Sequence, residues 1–182
     1  MVILAQSNLL WEDTGRTIMN NITFDPVKRA VWKEVAKTFA EDRNVERCLC
    51  FGREFYNYLR REASLPFPLA YVRKSGPPMQ EHDLCDLIVG WEVLKKKAGI
   101  PMLEWMYRTV KKGGEVRLFG YYLHPSPDDI FSWERECGVS HHLPAPGAIS
   151  FGQITAWLKS APFDRYTVRK RGIYYQVILR KE

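Results

Sequence analysis

The stretch from His82 to Leu123 constrains the fold of this chain more than any other. It holds an apolar run, HDLCDLIVGWEVL, a basic tract with Lys95, Lys96 and Lys97, and then IPMLEWMYRTVKKGG and EVRLFGYYL. Leu84 to Gly90, with an unbroken Leu-Ile-Val centre, suits a strand buried on both faces. Pro101 opens a helix with Leu103, Met106 and Val110 as its inward stripe; Lys111 and Lys112 favour its carboxyl-end dipole and Gly113 ends it. Glu115 to Leu123 returns as a second apolar strand. Strand, crossover helix and strand make one parallel βαβ unit, which cannot cover both of its faces alone. The stretch therefore predicts an α/β chain with a Rossmann-like, doubly wound, mostly parallel sheet, and puts any site at the carboxyl ends of its strands.

The flanking sequence supplies the other elements. Asp25 is a good N-cap, Pro26 suits the first helical position, and Val27, Val31, Val35 and Phe39 recur every four residues as far as Ala40. Val45 to Phe51 has strand length and runs into Gly52, after which REFYNYLRREA offers Phe55, Tyr58 and Leu59 as one helical face. Pro68 to Arg73 reads as a short strand before the SGPP turn. The connection from His124 to Ile149 is long, carries four prolines and a short helix around Asp129 to Glu136, and has the length of a binding loop or lid. Ser150 and Gln153 form a capping box for a helix carrying Ile154, Trp157 and Leu158. Tyr166 to Lys170 and Ile173 to Arg180 are separated by Arg171 and Gly172, an antiparallel hairpin that closes the sheet. Residues 1 to 24 lack periodicity and read as an arm over a single domain formed by residues 25 to 182.

Composition narrows the class. A chain of 182 residues, 46% hydrophobic and 26% charged, can bury one sizeable core. The net charge of +6 permits an anionic partner without requiring one. Charges interrupt every apolar run before the roughly 18 residues a membrane helix needs, so no membrane partner is expected. The opening MVILAQSNLLWED lacks the pattern of an export signal, and four cysteines in a chain this long suit reduced core thiols. The expected compartment is the cytoplasm.

The order of these elements resembles a class I S-adenosylmethionine-dependent methyltransferase over residues 25 to 182. The likeness is carried by CDLIVGWEVL, by MYRTVKKGGE and by SFGQITAWLKSAPFDRYTVRKRGIYYQVILRKE. It implies S-adenosylmethionine as cofactor and an unidentified methyl acceptor. In that family the first strand enters a glycine-rich turn, and an acid ending the second strand holds the ribose hydroxyls. Here the turn is FGREF, with Gly52 as its only glycine, and the second strand ends at Arg73 and Lys74. A side chain at Arg53 crowds the path a glycine leaves open, and a cation accepts no hydrogen bond. Glu54 is the acceptor available in that turn. An alternative follows, a catalytically inactive methyltransferase-like module that binds nucleic acid or a partner protein.

The resemblance makes Phe51, Gly52, Arg53, Glu54, Gly90, Trp91 and Glu92 the cofactor-side candidates, and Tyr121, His124, Trp133 and His141 the acceptor-side candidates. Core packing of Trp91 and a turn or solvent role for Glu92 are the competing readings. No Asp-Pro-Pro-Tyr or Asn-Pro-Pro-Tyr run occurs, which disfavours amino methylation of bases. Cys48, Cys50 and Cys85 read as core, and Cys137, His141 and His142 as loop residues; no zinc-type spacing is present, so no metal is expected. Walker, nucleophile-elbow and His-Glu-x-x-His motifs are also missing. Arg165, Arg169, Lys170, Arg171, Arg180 and Lys181, interleaved with Tyr166, Tyr174 and Tyr175, could contact phosphate and bases or form a solvated strand face.

Overall fold

The computed structural model describes residues 25–72, 84–94, 99–123, 135 and 149–182. In chain order the elements are α1 (Pro26–Lys37), β1 (Cys48–Phe51), α2 (Arg53–Glu62), β2 (Leu69–Tyr71), β3 (Cys85–Trp91), α3 (Gly99–Thr109), β4 (Val110–Tyr121), α4 (Phe151–Ser160), β5 (Arg165–Arg171) and β6 (Tyr174–Arg180). The six strands form one sheet in the order β2-β1-β3-β4-β6-β5. Strands β2, β1, β3 and β4 are parallel, and β6 runs antiparallel to both β4 and β5. The expected α/β sheet with a reversed hairpin at its margin is therefore present.

Alternation along the strands divides the interior into two layers. Leu49, Phe51, Ile88, Val116, Leu118 and Tyr175 face one side, where Leu103 and Met106 of α3 and Ile154 and Leu158 of α4 cover them. Cys48, Cys50, Leu87, Val89, Trp91, Phe119 and Tyr121 face the other, beneath Val31, Trp32 and Val35 of α1 and Phe55 and Leu59 of α2. Asp25 caps α1 as expected, its carboxylate accepting from the backbone N–H groups of Val27 and Lys28. Ser150 Oγ likewise accepts from Gln153 N at the start of α4.

The main correction falls within the stretch from which the fold was read. The helix ends at Thr109, and Val110 to Tyr121 is a single strand. Val110 pairs with Cys85, the register then shifts, and Leu87 pairs with Glu115. Lys111 leaves the helix-end role and reaches Asp86 of β3 at 3.0 Å, while Gly113, at φ 81, turns within the irregularity. Val110 is fully buried either way, so the apolar periodicity could not distinguish the last helical turn from the first strand residue. Smaller shifts affect β1, which starts at Cys48 rather than Val45, and β3, which runs on to Trp91. The second strand covers only Leu69–Tyr71; Arg73, Lys74 and the short helix at 129–136, apart from Arg135, lie outside the described residues.

Candidate functional site

The strand order fixes where a crevice can lie. The chain leaves β1 for β2 on one side and later places β3 on the other, so the carboxyl ends of β1 and β3 form the topological switch point. Phe51 and Gly90 are paired there, which brings Gly52 and Gly90 to the same end of the sheet. Gly52 has φ 95 and sits at the N-cap of α2, whose first turn no side chain caps. Only glycine adopts this backbone comfortably. Among the described residues no side-chain cap is present, so the first N–H groups of α2 stand open at the crevice.

The expected cofactor-side residues divide by environment. Phe51 is buried and turns to the α3 layer, meeting Trp105 edge-on at a centroid distance of 5.2 Å. Arg53 is exposed, and Glu54, also exposed, pairs with Lys28 of α1 at 3.1 Å. A Cβ added at Gly90 would come within 2.5 Å of Val93 Cγ2, so the space over this glycine is filled by the chain itself. Trp91 is 7% exposed and stands among Trp32, Phe55 and Tyr121, at 5.8, 6.2 and 5.1 Å between ring centroids. Core packing thus accounts for most of the Trp91 indole surface. Its Nε1 is buried with no hydrogen-bond acceptor among the described residues, as is Nε1 of Trp105.

Glu92 directly follows β3 at this lip. It is half-buried and has φ 51, the sole non-glycine positive φ among the described residues, while its N–H donates to Phe119 O at 2.7 Å. Burial holds the Tyr121 hydroxyl above the ordinary phenol range, and the charges of Asp25 and Glu92 push it the same way. Burial and Glu92 act likewise on Tyr175. Tyr175 was not anticipated as part of this cluster. Its signal lay in the opposed Gly120 and Tyr175, where a Cβ at Gly120 would stand 2.7 Å from the Tyr175 hydroxyl. Trp32, buried beside the valine stripe of α1, was missed for a similar reason: it lies one position off the four-residue repeat.

Of the acceptor-side candidates, Tyr121 ends β4 at this same end of the sheet, whereas His124, Trp133 and His141 lie outside the described residues. The connection that carries them is tied at its base, because Tyr122 and Ile149 form a parallel bridge and Leu123 N donates to Ile149 O at 2.9 Å. Cys48, Cys50 and Cys85 are buried; burial raises all three thiols, Cys85 to about 12, which disfavours a thiolate nucleophile. No group of metal-ligating side chains occurs among the described residues, and no described helix is long and apolar enough to cross a membrane.

No protein-family model matches this chain, and no curated protein matches its sequence. Solved structures do match. A SAM-dependent methyltransferase from Aquifex aeolicus is 14% identical with a TM-score of 0.56, the match covering 86% of this chain and 98% of that one. A SAM-dependent methyltransferase from Thermotoga maritima, a possible histamine N-methyltransferase, is 10% identical with a TM-score of 0.53, over 86% and 91%. Human N-acetylserotonin methyltransferase, solved in complex with SAM, is 16% identical with a TM-score of 0.50, and the match spans 86% of this chain and 56% of the human chain. At such identities what is shared is the fold, and that fold is class I methyltransferase-like.

Proposed function

We propose that this chain is a S-adenosylmethionine-dependent methyltransferase-like protein that takes its cofactor in the crevice above Gly52 and Gly90. The observation that carries the reading is Gly52: a positive-φ glycine at the switch point leads directly into a helix start that no side chain caps. Backbone N–H groups at such a turn suit polar groups of a nucleoside ligand, so the turn fits the cofactor. When bound, S-adenosylmethionine supplies an activated methyl group. Methyl transfer needs mainly alignment, so the rest falls to positioning by this chain. Gly52 and the first turn of α2 would hold the ligand, Glu92 would present a carboxylate at the end of β3, and Tyr121 would line the acceptor side. His124, Trp133 and His141, on the connection tied at Tyr122 and Ile149, would cover the acceptor. Buried, reduced thiols suit a cytoplasmic protein, with residues 25 to 182 as its single domain and residues 1 to 24 as an arm.

A second reading rests on the filled lip. Val93 occupies the space over Gly90 and Trp91 is enclosed by rings, which favours a methyltransferase-like binding module without catalysis. Nucleic acid is the partner its charge suits: β5 is exposed along nearly its whole length, and alternation puts Arg165, Arg169 and Arg171 on one face.

Calorimetry with S-adenosylmethionine and S-adenosylhomocysteine separates the two. The first reading expects Kd values on the order of micromolar, about −8 kcal/mol, that weaken at least tenfold in Gly52→Ala. No heat at millimolar ligand removes it. The second expects salt-sensitive binding of a labelled single-stranded RNA, lost when Arg169, Lys170 and Arg171 are neutralised; affinity indifferent to salt would count against it.

A further inference from the structure

A cleft of about 440 Å³ opens between α2 and the edge strand β2, towards the amino end of β1 and away from the crevice above Gly52. That volume falls within the roughly 300–1,000 Å³ usual for small-molecule sites. Leu59, Leu65, Phe67 and Leu69 give it apolar walls, and Tyr56, whose ring lies 5.4 Å from that of Tyr71, contributes a further aromatic side. The charged lining residues are Arg47 and Arg60, and no carboxylate lines the cleft among the described residues.

The charge balance of α2 explains why this imbalance persists. The acids that end up on this helix, Glu54 and Glu62, are drawn towards α1, where they pair with Lys28 at 3.1 Å and Arg29 at 2.6 Å. Arg60, on the cleft side, has no ion-pair partner among the described residues. An apolar recess lined by two arginines, one of them Arg60, and by no acid among the described residues suits a ligand with an apolar body and an anionic head, because a guanidinium binds carboxylate and phosphate oxygens through paired N–H groups.

We propose that this cleft is a binding site for a small amphiphilic anion, its apolar body against Leu59, Phe67 and Leu69 and its head on Arg60. The site is separate from the switch-point crevice and stands whether or not a cofactor binds there. The test is calorimetry of the full chain with decanoate, decyl phosphate and decanol. Both anions should bind, with decanol about tenfold weaker, the loss expected for one charge-assisted hydrogen bond. Arg60→Gln should weaken the anions about tenfold and leave decanol unchanged. Ala63→Trp, which fills the cleft from the end of α2, should abolish binding of all three at an unchanged urea midpoint. Equal affinity for decanol and decanoate, wild-type affinity in either variant, or no heat at millimolar ligand would overturn the proposal.

Discussion

The two ends of the sheet are held by different forces. At the amino end the working parts are charges. Asp86 accepts the backbone N–H groups of Glu46 and Arg47 and pairs with Lys111, so one carboxylate ties the approach to β1, the start of β3 and the irregular start of β4. Arg117 grips Asp42 through both terminal nitrogens and also meets Glu115, which in turn takes Arg180 of β6. At the carboxyl end rings replace charges, Gly52, Gly172 and the non-glycine Glu92 stand at positive φ against Gly113 at the amino end, and buried indole N–H groups of Trp91 and Trp105 lack an acceptor among the described residues. Backbone strain and unpaired donors collect where a fold gives up stability for something else. The amino end thus fixes strand order, and the carboxyl end carries the unfinished chemistry.

Trp91→Ala tests this contrast most severely. It removes a nearly buried indole from contact with Trp32, Phe55 and Tyr121 and should cost about 3–5 kcal/mol in urea unfolding. Trp91→Phe should lose much less, because deleting an N–H that has no acceptor among the described residues recovers part of its desolvation cost. At the other end, Arg117→Met strands Asp42 and leaves Glu115 with Arg180, and the two acids keep 17% and 19% exposure. The expected loss is about 2–3 kcal/mol, below the roughly 3–5 of a fully buried pair. A larger cost at Arg117 than at Trp91 would reverse the assignment of the ring cluster as the stronger packing element.

Asp86 sharpens the contrast through pH. Burial alone would raise its pKa, but the Lys111 ammonium and the N–H groups of Arg47 and Glu46 outweigh it and hold the carboxyl below its usual value. A folded-state pKa below the unfolded one means the contribution is complete above the unfolded value, about 3.9, and disappears as pH falls through the folded value. Asp86→Asn should therefore cost about 1–2 kcal/mol at neutral pH and should flatten the fall in urea midpoint below about pH 4. An identical acid slope in wild type and variant would show that Asp86 does not govern it.

Much of this was readable in the sequence because strand burial and helix periodicity are local signals. The Leu-Ile-Val run of β3, the Asp25 cap and the Ser150 cap each announced an element that is present. The α3–β4 junction was not readable: Val110 is apolar and buried under either assignment, and the long-range pairing of Lys111 with Asp86 decides between them. The candidate site was legible as backbone and not as side chains. Gly52 and the strand order gave its position, but nothing local reveals that Val93 fills the space over Gly90 or that Trp32 covers Trp91. Those contacts join residues far apart in sequence or across a turn, and no period records them.

Substitutions at Glu92 produce the smallest stability changes and divide the two ends most sharply. At φ 51 the glutamate occupies the left-handed region, which costs an L residue roughly 1–2 kcal/mol. Glycine removes that cost and gives back about 0.5–1 kcal/mol through its looser unfolded chain. The net expectation is a gain of about 0.5 kcal/mol, alongside weaker binding of an S-adenosyl ligand. Glu92→Gln keeps the strain and loses the charge, so it should leave stability nearly unchanged. Both variants should lower the hydroxyl pKa values of Tyr121 and Tyr175, because burial remains while the neighbouring negative charge is gone. Stability rising as binding falls is the pattern of strain kept for a ligand. If Glu92→Gly instead destabilises the protein by about 1 kcal/mol or more, on the scale of a lost buried hydrogen bond, the carboxylate is an anchor. The carboxyl end would then be held as the amino end is, by a fixed charge, and the contrast between them would reduce to one of exposure.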